Sequence, residues 1–101
     1  MVQAGILLAA IALTVTGLTS PIAPNSIATL TVKTAPGANC SLSYTTPAGN
    51  PSSADGLGAT TANAQGVASW SWKIGQNTGA GTGSLRVTCA GATQTLNIVI
   101  T

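Results

Sequence analysis

Residues 1–19, MVQAGILLAAIALTVTGLT, carry no Lys, Arg, Asp, Glu or His, and the first charged side chain is Lys33. From Ala4 to Val15 only Thr14 is not apolar. A run of this kind does not stay exposed to water as a single surface. It enters a membrane, is cleaved off, or is buried against copies of itself. The signal-peptide reading fits poorly. The chain has no basic n-region, and Thr16-Gly17-Leu18 makes a poor cleavage site. A missing basic region is what a chain with its leader already removed would show.

Local propensity decides the expected conformation of the run. Ala4, Ala9, Ala10 and Ala12 with Leu7, Leu8 and Leu13 favour helix, and Pro21 and Pro24 stop it. Thr14, Val15 and Thr16 are β-branched and weaken the preference locally. A helix over residues 1–20 would rise roughly 27 Å along its apolar part, close to the thickness of a bilayer core. Gly5, Ala9, Ala12 and Thr16 would fall along one side of it. A stripe of small residues lets another helix approach closely. A plain membrane anchor is the alternative, and in that case the stripe has no meaning. A donor strand inserted in a neighbour's sheet would need clearer alternation than ILLAAIAL shows.

The other residues read as β structure. Residues 21–26 hold Pro21 and Pro24 and form a stiff linker ahead of a domain over 27–101. Ala28, Leu30 and Val32 alternate with Thr29, Thr31 and Lys33. Cys40, Leu42 and Tyr44 alternate with Ser41, Ser43 and Thr45. Residues 46–58 form a long loop, with a short strand near residues 59–61. Ala68, Trp70, Trp72 and Ile74 alternate with Ser69, Ser71 and Lys73, the clearest strand of the chain. Residues 75–83 read as a glycine-rich loop. Leu85, Val87 and Cys89 form a fifth strand, Ala90-Gly91-Ala92 a hairpin turn, and residues 93–101 a sixth strand. Six strands with frequent turns predict an antiparallel sandwich. With the helix, the expected class is α+β.

Composition narrows the chemistry. Of 101 residues, the charged side chains are Lys33, Lys73, Arg86 and Asp55. A net charge of +2 is too small and scattered for nucleic-acid binding. With no His, no Glu and one Asp, neither a Ser-His-Asp triad nor a two-carboxylate mechanism is available. The expectation is a non-enzyme, with no cofactor and no metal. Two cysteines without histidine also fail as a zinc site. Cys40 and Cys89 fall on apolar faces of two strands, and an apolar segment upstream favours an oxidising compartment. A disulfide is therefore expected, contributing about 4 kcal/mol in the chain-entropy picture. Asn39-Cys40-Ser41 matches the glycosylation sequon, making Asn39 a candidate acceptor. Trp70 and Trp72 share a face; if one points outward, it is a candidate for sugar binding or subunit contact.

ATLTVKTAPGANCSLSY (residues 28–44), SADGLGATTANAQGVASWSWKIG (53–75) and GTGSLRVTCAG (81–91) together resemble immunoglobulin-like repeats of bacterial surface proteins. The resemblance implies an extracellular β-sandwich with a cysteine pair and no known active site. The layout of an uncharged apolar helix leading into a small β domain is similar to that of type IV pilins, above all archaeal ones. Gly5 stands where many bacterial pilins carry glutamate. The expected function is a structural subunit of an extracellular filament, with helices in its core and β domains as its sheath. Its partners would be copies of itself, the membrane before assembly, and glycans or other surfaces. The alternative is a membrane-anchored or secreted immunoglobulin-like adhesion module.

Overall fold

The structure, a computed structural model, describes residues 13–101. Seven strands form two antiparallel sheets. They are β1 (Thr14–Leu18), β2 (Ile27–Lys33), β3 (Asn39–Thr45), β4 (Gly58–Thr61), β5 (Val67–Lys73), β6 (Gly81–Cys89) and β7 (Ala92–Ile100). One sheet has the order β1-β2-β5 and the other β4-β3-β6-β7. The described chain contains no helix, so the α+β expectation is overturned: the class is all-β.

The correction falls on β1. Its residues were expected to end a helix, and instead they pair with β2 as Thr14↔Lys33, Val15↔Val32, Gly17↔Thr31 and Leu18↔Leu30. The register slips by one residue between Val15 and Gly17. Thr16 is the extra residue of this bulge, and its hydroxyl donates to the Thr31 carbonyl at 3.2 Å. The slip has a packing consequence. Val15 and Leu18, three apart, would point to opposite faces of a regular strand; the bulge lets both pack on the core. Leu13, just ahead, is buried as well. β-Branched Thr14, Val15 and Thr16 suit this extended backbone better than a helix. Strand pairing thus begins upstream of Ile27, where the domain was expected to start. Thr16, the fourth member of the supposed small stripe, is a strand residue; Gly5, Ala9 and Ala12 lie outside the described residues.

The stretch read as a linker is also fastened down. Ile22 is buried and forms a parallel bridge with Ile100. Its N–H donates to the Val99 carbonyl at 2.9 Å, and its carbonyl accepts from Thr101 N–H at 3.0 Å.

The other strands follow their alternation. β2 and β5 pair through seven residues without a slip, from Ile27↔Lys73 to Lys33↔Val67. The core holds Leu30, Val32, Leu42, Leu85, Val87, Ile98 and Ile100, as expected; of Trp70 and Trp72 at least one was expected there and both are buried, with Ala28, Tyr44 and Ile74. Leu96 is only half-buried: it faces Leu85, but on a strand at the sheet edge. β6 starts at Gly81, inside the expected glycine-rich loop. The reason is Gly83. It points inward, where a Cβ would lie 2.9 Å from Tyr44 Cε1 and 2.8 Å from the Thr45 carbonyl oxygen. Glycine is there for close packing and not for a turn. The β6–β7 hairpin turns at Ala90 and Gly91, both with positive φ (50° and 86°), as a two-residue hairpin of the primed type requires.

The registers also place the two poles of the sandwich. The turns at residues 34–38, 62–66 and 90–91 share one pole with the start of β1. The loops at 46–57 and 74–80 share the other with the end of β7.

Candidate functional site

Cys40 on β3 and Cys89 on β6 stand directly opposite each other and are joined by a disulfide. Both are buried on the inner face of the four-stranded sheet, as alternation requires. The bond therefore ties two neighbouring strands of one sheet. Its sulfurs are screened from solvent thiols, which makes the bond a staple rather than a redox centre.

The aromatic side chains turn inward too. Trp70 is 4% exposed and Trp72 1%, so the option of an outward tryptophan for sugar or subunit contact is excluded. Trp70 Nε1 donates to the Gly58 carbonyl at 3.0 Å, which fixes β4 against β5 across the sandwich. Tyr44 and Trp72 pack as a tilted pair with ring centroids 6.1 Å apart. Tyr44 OH, Trp72 Nε1 and Thr34 Oγ1 are buried with no hydrogen-bond partner among the described residues. Burial raises the Tyr44 phenol above its ordinary 10.0, because the phenolate would lose its hydration.

The outer faces carry short polar side chains. On the four-stranded sheet, Ser41, Ser43 and Thr45 stand beside Thr88, Arg86 and Ser84, which in turn stand beside Thr93, Thr95 and Asn97. On the three-stranded sheet, Thr29 and Ser71 share a hydrogen bond at 3.2 Å between Lys33 at one end and Lys73 at the other. Asn39 is exposed at the start of β3, with the middle residue of its sequon inside the disulfide.

A cleft of about 540 Å³ opens at the pole opposite the start of β1. Two loops line it: Thr46, Pro47, Ala48 and Asn50 from one, and residues 75–80 from the other. The first loop is held by its own hydrogen bonds: Thr46 N–H to the Asn50 carbonyl at 2.9 Å and Gly49 N–H to the Thr46 carbonyl at 2.8 Å. Asn50, Gln76 and Asn77 bring amides, Thr46 and Thr78 bring hydroxyls, and no charged side chain lines the cleft. Such a lining suits a neutral, hydroxyl-rich ligand. Both loops were legible as loops; their convergence was not, because it depends on β3 ending and β6 beginning at the same pole.

Among the described residues, no three His, Cys, Asp or Glu side chains gather where they could hold a metal ion. No helix among them is long and apolar enough to cross a membrane. Compared with known proteins, the chain matches no family model and no curated sequence.

Proposed function

We propose that this chain is a structural and adhesive module of the cell exterior. On this reading it is an immunoglobulin-like sandwich without catalytic activity, and its apolar N-terminal run attaches it to a membrane. The observation that carries the reading is the buried disulfide between β3 and β6. Bonds of this kind persist in oxidising compartments, and a small domain gains most from one. Hydroxyl-rich outer faces with few charges support the same placement, and the neutral cleft offers a contact for uncharged glycans. The test is mass measurement on native protein shaved from intact cells, alkylated with and without prior reduction. One disulfide in material released by external protease is the expected result; two free thiols, or a chain inaccessible to protease, would sink the reading.

A homopolymeric filament subunit is the second reading, favoured by the uncharged run ahead of Leu13, which burial among copies would shelter. It no longer draws on a helix reaching Thr19. Electron microscopy of shed material separates the two: uniform fibres containing this chain carry the filament reading, and their absence leaves the anchored module.

A further inference from the structure

We infer that the sandwich is built to carry tension between its two ends, with the disulfide acting as a stop that limits how far it can be drawn out. The inference concerns a mechanical role and goes beyond the proposed placement at the cell exterior.

The two ends of the described chain lie at opposite poles of the sandwich. β1 begins with Thr14 beside Lys33, at the pole of the 34–38 and 90–91 turns. β7 ends with Ile100 beside Gly81, at the opposite pole. The described chain thus enters at one end and leaves at the other. β1 runs from the entry pole towards the exit pole, and so does β7. A pull between Leu13 and Thr101 therefore draws each terminal strand along its own axis. The nine residue pairs that register β7 against β6, from Gly81↔Ile100 to Cys89↔Ala92, are sheared together and not opened one after another.

The segment between β1 and β2 adds a second set of sheared bonds. Ile22 lies parallel to Ile100, so the N-terminal and C-terminal runs are neighbours pointing the same way and pulled in opposite senses. Four bonds bind these runs: Ser20 Oγ accepts from Val99 N–H at 3.0 Å, and Ile22 N–H donates to the Val99 carbonyl at 2.9 Å. The Ile22 carbonyl accepts from Thr101 N–H at 3.0 Å and from the Thr101 hydroxyl at 3.5 Å. Gln94 Nε2 adds a bond from β7 to the Leu13 carbonyl at 3.0 Å, at the point where the chain enters. Forced unfolding is governed by the rate of crossing a barrier, and a barrier that breaks many bonds at once is the higher one.

The disulfide then limits the outcome. Cys40 and Cys89 are 49 residues apart in sequence and hold β3 to β6 as a closed loop. When β1, β2 and β7 have been drawn out, that loop cannot extend. Opening it would release roughly 170 Å of chain, at about 3.4 Å per residue.

Single-molecule pulling on the full chain tests the inference. One pair of handles sits at the N-terminus and Thr101; a second pair sits at Ala80 and Thr101, where the same β6–β7 hairpin is peeled open from one pole. The end-to-end rupture force should exceed the peeling force several-fold, and equal forces would overturn the tension-bearing role. Under reductant the end-to-end extension should gain roughly 170 Å; no gain would overturn the stop. Ser20→Ala, at an exposed position, should lower the end-to-end force while leaving the urea midpoint nearly unchanged. A fall in the midpoint with no change in force would show that the segment is merely structural, and would overturn its part in the clamp.

Discussion

β1 and β5 both pair with β2, on its two sides, yet they hold their places by different means. β5 carries its own instructions: Ala68, Trp70 and Trp72 alternate with Ser69, Ser71 and Lys73, and its seven-residue register contains no slip. β1 is five residues long, half-exposed and bulged at Thr16. Its side chains fit the core only after the bulge has shifted them, and its start is held by Gln94 from the other sheet. One edge is specified by its own alternation, and the other is templated by strands already in place. Register is strongly specified wherever one face is buried, and a strand with little burial borrows it.

The sharpest way to test this contrast is to remove the anchor of β5. Trp72→Ala should destabilise by as much as about 5 kcal/mol, because a fully buried indole leaves a large cavity. For a domain of this size, urea denaturation should then show little folded protein at all. A loss comparable to that of a surface change would break the claim that β5 organises the sheet. Next comes the disulfide, which belongs to the other sheet: Cys40→Ala with Cys89→Ala should cost about 4 kcal/mol, read as a lower denaturation midpoint. On the β1 side the effect should be smaller. Val15→Ala, on a half-buried side chain, should cost about 1 kcal/mol by the same measurement and leave the far-ultraviolet circular dichroism of the sandwich intact. A cost as large as that of Trp72→Ala would mean that β1 is a primary element and not a templated one.

Tyr44→Phe probes the core that both edges cover. Its hydroxyl is buried with no partner among the described residues, so removing it should change stability by less than about 1 kcal/mol at neutral pH. The pH dependence should change more. The folded phenol titrates above 10.0, whereas the unfolded chain ionises near that value. The stability contributed by Tyr44 is therefore complete below pH 10.0 and is lost as the pH rises from there through the folded pKa. The variant should lack this alkaline loss in denaturation midpoints measured from pH 8 to 11. The smallest effect is a gain. Ala90 sits at φ 50°, a conformation in which Asn is more comfortable than Ala, so Ala90→Asn should add about 0.5–1 kcal/mol.

Much of the candidate site was legible because its residues lie on strands with clear alternation. Cys40 and Cys89 could be placed on core faces from their neighbours alone, and both tryptophans shared one face by spacing. The cleft was not legible as a cleft, since its two loops are some 25 residues apart in sequence and meet only through the shared pole of β3 and β6. Gln94 gave no signal either. It shares a face of β7 with Leu96, Ile98 and Ile100 but is exposed, and its use appears only when the Leu13 carbonyl arrives beside it.

Local patterning alone determined β2, β3, β5, the second half of β7, the body of β6, the hairpin at Ala90-Gly91, and the placement of both cysteines on core faces, whereas their standing opposite each other came with the pairing of β3 and β6. In each of these strands every second side chain must leave water, and a period of two is compatible with one backbone conformation. Tertiary structure alone decided the conformation of the described end of the apolar run. The residues from Leu13 to Leu18 combine helix-favouring and β-branched side chains, so propensity sets no strong preference there, and the bulge erases the alternation that would have revealed a strand. What settles their conformation is the free edge of β2, whose backbone groups need partners, together with an apolar core that Leu13, Val15 and Leu18 cover. The same holds for Ile22, a residue between two prolines that becomes a strand neighbour only because the end of β7 lies beside it.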